Sequence, residues 1–120
     1  GLVPESISHE GYSAKPMHSY WDDFFVLRGF LDAAAIARAL GENADADRFD
    51  ALAQPFAEDL TDSIALAMEQ QEINYIPGCV ELGDFDATST AIAIHPGALL
   101  GTVATRQAFD ATFDRYWAHF

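Results

Sequence analysis

Ser19-Tyr20-Trp21-Asp22-Asp23-Phe24-Phe25-Val26-Leu27-Arg28-Gly29-Phe30-Leu31-Asp32-Ala33-Ala34-Ala35-Ile36-Ala37-Arg38-Ala39-Leu40-Gly41 is the stretch on which the fold turns. Tyr20, Phe24, Leu27, Leu31 and Ala34 recur three and four residues apart, the spacing that lines up one face of a helix. The alanine-rich second half permits close approach of a neighbouring helix, and Gly41 stands where a left-handed residue closes a helix C-terminus. A second pattern follows, with Phe49, Leu52, Ala53, Phe56, Leu60, Ile64 and Ala67 at the same intervals up to about Gln71. Glu42-Asn43-Ala44-Asp45 supplies cap candidates and negative charge at its N-terminus. Pro55 lies inside this second pattern; it lacks an N–H and crowds the preceding turn, so it is expected to kink the helix or divide it near Gln54. A connection of only a few residues makes the two helices antiparallel, and residues 19–71 therefore read as a helical hairpin.

Working outward, residues 1–18 carry Pro4, Gly11 and Pro16 without a sustained period and read as loop. Periodicity stops again at Glu72, and residues 72–104 read as an acidic, aromatic loop and a short helix, punctuated by Pro77, Gly78 and Gly83. Asp86 is placed to cap a helix through Ala87 to Ile94, although the alternation Ala91-Ile92-Ala93-Ile94 suits a strand equally; helix is the choice made. After Pro96-Gly97, residues 105–120 read as a helix with Phe109, Phe113, Tyr116, Trp117 and Phe120 on one side, a recurrence that burial requires. The fold class is all-α, an antiparallel αα-hairpin plus a further helix, in a chain whose 120 residues suit one modest core.

Composition narrows the partners. The formal net charge of −13 argues against nucleic acid and against an anionic membrane surface, while a neutral ligand meets no such barrier. The apolar runs are far shorter than a membrane span. Cys79 is the sole cysteine, so an internal disulfide and a zinc-binding cysteine cluster are ruled out, and a buried thiol is expected. No phosphate loop, nucleotide fingerprint or serine-nucleophile elbow occurs, so no cofactor is implied. His9 and His18 do not match a metal-ligand spacing, and no metal is assigned.

Two constellations carry chemistry. Trp21 offers an indole face for the apolar side of a sugar, and the carboxylate of Asp22 beside it can accept hydrogen bonds from hydroxyls. The structural alternative is a capping box, Ser19 to Asp22, with Trp21 as ordinary core. In the later loop, Glu81, Asp84 and Asp86 place three carboxylates within six residues, close to Tyr75 and Phe85. They are the catalytic candidates, and Tyr75, Glu81 and Asp84 join Trp21 and Asp22 as substrate-binding candidates, because glycoside hydrolysis needs paired carboxylates and repulsion can raise one pKa. Asp86 as a plain helix cap, Glu81 as a solvated side chain, and Asp84 with Asp86 as oxygen ligands for calcium are the alternatives. Ser8-His9-Glu10-Gly11-Tyr12-Ser13 and His18 are weaker polar candidates for the same mouth.

The segment Ser19 to Phe30 resembles the Trp-Asp signature of trehalase-like enzymes and other six-hairpin glycosidases, and Tyr75-Ile76-Pro77-Gly78 resembles the Phe-Ile-Pro-Asn-Gly loop that follows the corresponding helix pair. The resemblance implies a partial (α/α)6 toroid with its active site at a mouth of interhelix loops, and a hydrolase of carbohydrate metabolism. It implies that Trp21-Asp22 and the Ile76-Pro77-Gly78 loop contact substrate, while the general acid and base lie farther along than Phe120. Val80-Glu81-Leu82-Gly83-Asp84 departs from the family pattern, so roles do not carry over there. A complete toroid needs several times more helices than this chain holds, and the chain is expected to be a fragment whose uncovered apolar faces associate as a homo-oligomer. Against this stands a non-catalytic helical scaffold or interaction module with a merely solvated acidic loop.

Overall fold

The computed structural model describes residues 1–7 and 15–119. Among them are four helices and no strand: α1 (Tyr20–Ala39), α2 (Asn43–Gln70), α3 (Ala87–Ile94) and α4 (Arg106–Trp117). The chain is all-α, as its apolar spacing requires. No described helix is long and apolar enough to cross a membrane.

α1 ends where a left-handed residue is available. Gly41 adopts φ +81°; its N–H donates to the Arg38 carbonyl at 3.0 Å and the Glu42 N–H to the Ala37 carbonyl at 2.9 Å, the paired bonds of a Schellman turn. The chain reverses within three residues. The antiparallel register is visible in the pairs that follow: Arg38 with Asp50 at the closed end, Phe30 with Phe56 edge to face at 6.0 Å in the middle, and the Tyr20 hydroxyl with Ser63 Oγ at 2.9 Å toward the open end. Tyr20, Phe24 and Leu27 of α1 meet Leu60 and Ile64 of α2 in a core completed by Ile76, Leu99, Val103 and Phe109.

Four readings meet the structure here. α2 is not divided at Pro55; Pro55 and Ala51, whose carbonyl loses its partner, are both on the exposed side, where water can take the place of the missing N–H. Leu31 and Leu52, expected in the hairpin seam, are 36% and 47% exposed. Leu31 borders a concavity with Ala53 and Ala57, residues too small to cover it. On α4, Phe109 is buried and Phe113 packs against the core, whereas Trp117 is 68% exposed; Phe120 lies outside the described residues. Finally, Ser19 is the N-cap of α1 without a side-chain capping bond. The capping box does not form, because Asp22 accepts instead from the hydroxyl of Ser6.

The short helices follow their local signals. Asp86 caps α3 by accepting from the Ser89 N–H at 3.0 Å and from the Ser89 hydroxyl, and Thr105 caps α4 by accepting from the Ala108 N–H at 3.2 Å. α3 packs on α1, and α4 on α3. Thr112 on α4, fully buried, accepts from the Ile76 N–H at 3.0 Å and so ties the loop after α2 to the helical core.

Candidate functional site

At the open end of the hairpin three stretches far apart in sequence lie side by side. Ser6 and Met17 exchange backbone hydrogen bonds at 2.8 and 2.9 Å. The Val80 N–H donates to the His18 carbonyl at 3.1 Å and the Tyr20 N–H to the Gly78 carbonyl at 3.0 Å, with an antiparallel bridge between Ser19 and Cys79. The loop therefore crosses the N-terminus of α1 and satisfies a backbone donor there that no preceding helical turn can reach.

Glu81 is delivered to this end. Its carboxylate accepts from the His18 N–H at 3.2 and 3.3 Å, and its Oε1 lies 2.6 Å from His18 Nδ1. Asp22 lies in the first turn of α1, its carboxylate bonded by Ser6. Trp21 is half-buried, with its ring tilted against the ring of Phe25 at 5.4 Å; Phe25 is 42% exposed. The structure thus brings Trp21, Asp22 and Glu81 to one end of the hairpin.

The other candidates turn inward. Asp84 Oδ1 accepts from the Cys79 N–H at 3.1 Å and lies 3.3 Å from Cys79 Sγ. The turn is so tight that a Cβ on Gly78 would stand 2.6 Å from Asp84 Oδ2, which is why the position takes glycine. Cys79 is a buried free thiol, as its solitary occurrence suggested; burial, with Asp84 next, pushes its pKa up to about 11 and keeps it protonated and unreactive. Tyr75 is 7% exposed. Its hydroxyl donates to the Gly83 carbonyl at 2.8 Å, and its ring meets Phe85 edge to face at 5.4 Å with the Arg115 guanidinium 4.7 Å away. Asp86 is the α3 cap. These side chains shape the loop that presents Glu81. Ser8 to Ser13 lie outside the described residues.

Asp23 was not singled out from sequence, and it is the most unusual group at this end. It is 0% exposed. Oδ1 accepts from the Val3 N–H at 2.9 Å, while Oδ2 has no hydrogen-bond partner among the described residues. Burial pushes its pKa from 3.8 to about 6, and Asp22 adds to the rise; the Val3 N–H, His18 and the N-terminal ammonium oppose it. The sequence held one signal for this, since Asp23 falls between Tyr20 and Leu27 on the stripe that faces the core. Burial likewise raises the pKa of Tyr20, whose phenol stays neutral. Nothing local announced Glu5 or the His18–Glu81 pair, whose members lie 63 residues apart.

Comparison of the chain with protein-family models, with curated proteins and with solved structures gives no match.

Proposed function

We propose that this chain carries the sugar-contacting rim of a glycoside hydrolase that acts on a neutral oligosaccharide or glycoside by carboxylate acid/base catalysis. Trp21 is the stacking face, and Asp22 and Glu81 are the acceptors for sugar hydroxyls. The observation that carries this reading is the pairing of residues 78–80 with residues 18–20, which sets Glu81 at the same end as Trp21-Asp22. The net charge of −13 supports a neutral rather than an anionic ligand. Tyr75, Asp84 and Asp86 serve the site by holding the loop, and the catalytic acid and base are supplied by other loops of the mouth.

In the protein that carries this chain, Trp21→Ala and Asp22→Asn are each expected to lower kcat/KM roughly 10- to 150-fold on the oligosaccharide or aryl glycoside it hydrolyses, the worth of one charge-assisted hydrogen bond or comparable contact. The amide oxygen introduced by Asp22→Asn still accepts from Ser6, so the melting temperature should hardly move. The chain by itself is expected to be inactive, because one hairpin cannot place acid, base and platform together. Wild-type kcat/KM in both variants would sink the proposal. It would favour the second reading, a helical scaffold, whose support is the exposure of Ile36 (61%), Leu40 (73%) and Leu66 (52%) on the hairpin, apolar surface that a partner or a second copy would cover.

A further inference from the structure

The open end also gathers side chains of metal-ligand type. Because Ser6 and Met17 form the hydrogen-bonded pair of an antiparallel bridge, the next residues, Glu5 and His18, stand opposite each other as a non-hydrogen-bonded pair, the closer of the two kinds. From the other side Glu81 folds back over His18, its Oε1 2.6 Å from Nδ1. One ligand atom from each of Glu5, His18 and Glu81 lies within 4.8 Å of the other two. Donors around a first-row cation at ~2.0–2.2 Å from each stand about 3–3.5 Å apart, so rotation of the two glutamate side chains gathers them without moving the backbone. Glu5 is exposed and the other two partly so, which leaves an entry path.

A second observation points to missing positive charge at this place. Asp23 is fully buried under the N-terminal segment that carries Glu5, with Oδ2 unpartnered among the described residues. The positive groups that act on it are His18 and the N-terminal ammonium, and the latter is itself paired with Asp59. Asp22 acts on Asp23 with the same sign of charge.

We propose that Glu5, His18 and Glu81 bind a divalent first-row cation of the zinc type. An imidazole beside two carboxylates suits zinc, whereas calcium and magnesium prefer all-oxygen sets. Three protein ligands leave a further position open to water. The site shares Glu81 with the rim proposed above, and it stands whether or not the neighbouring aromatic surface takes a sugar.

The test is calorimetric titration of the chelator-treated full chain with Zn2+, repeated with Co2+ read by visible absorption. One ion per chain is expected, with Glu5→Gln and Glu81→Gln each weakening binding at least about tenfold, since losing a direct ligand costs no less than losing its outer-shell support. Glu5 is exposed, so Glu5→Gln leaves the fold intact, and circular dichroism checks Glu81→Gln. His95→Gln, an exposed histidine elsewhere, should change nothing. No binding by the folded wild type, equal binding by Glu5→Gln, or Ca2+ binding as tightly as Zn2+ would each overturn the assignment.

Discussion

The two ends of the α1–α2 hairpin are built by opposite means. At the closed end three residues, Leu40 to Glu42, reverse the chain through bonds that reach back no more than five positions, and all three are exposed. At the open end the N-terminus of α1 is overlaid by residues 3–6 and by the loop after α2, where the Ser6–Asp22 and His18–Glu81 bonds span 16 and 63 positions. The first end needs little from the rest of the molecule. The second buries a carboxylate and gathers Trp21, Asp22 and Glu81 with Glu5 and His18, which is possible because long-range packing there over-determines the backbone.

The comparison breaks most visibly in the core. Phe24, 0% exposed and 6.3 Å from Tyr20 between ring centroids, belongs to the open half; Leu31, 36% exposed, lies a little beyond the hairpin's middle toward the closed end. Phe24→Ala is expected to cost about 3–5 kcal/mol in urea denaturation, and Leu31→Ala less than about 1 kcal/mol. Equal losses would mean that the seam is uniform and the contrast between the halves is wrong.

Asp23 sharpens it next. Its folded pKa of about 6 stands above the ordinary 3.8, so the folded state holds this proton more tightly than the unfolded one. Stability from this group is therefore present below about pH 4 and is lost as pH rises through about 6. Asp23→Asn keeps an acceptor for Val3 and removes the ionised form, so at pH 7 in metal-free buffer it should stabilise the chain by about 2–3 kcal/mol. The gain should vanish toward pH 4. A gain that persisted at pH 4 would place its cause outside ionisation.

These differences track how much of the molecule was legible in the sequence. The helices announced themselves through apolar spacing and through Gly41, Asp86 and Thr105, all local signals that act within one turn. Pro55 does not divide α2, because the cost of a proline depends on whether the orphaned carbonyl of Ala51 faces solvent, a fact of burial rather than of sequence. Ser19 and Asp22 had the right spacing for a box, yet Ser6 took the carboxylate, and the competition was invisible until the N-terminal segment was in place. In the site, Trp21, Asp22 and Glu81 could be guessed singly. Glu5 beside His18 depends on a register between residues 6 and 17 that no periodicity specifies.

The smallest expected effect compares the two helix ends directly. α2 closes with the same turn as α1: the Glu72 N–H donates to the Glu69 carbonyl at 3.2 Å and the Ile73 N–H to the Met68 carbonyl at 3.0 Å, with Glu72 at φ +54° where α1 has Gly41 at φ +81°. A residue with a Cβ is strained in this region, and at Glu72, whose side chain is exposed, nothing else repays that strain. Glu72→Gly should therefore gain ~0.5–1 kcal/mol, the relief of strain being partly offset by the freer unfolded chain. Gly41→Ala should lose ~1 kcal/mol, although a Cβ there would meet no atom within 4 Å, so the loss would come from backbone conformation alone. Thermal melts of both variants measure the pair. A loss from Glu72→Gly would show that the glutamate side chain itself supports the open end, and the left-handed turn there would then be held by tertiary contact rather than by tolerance of strain.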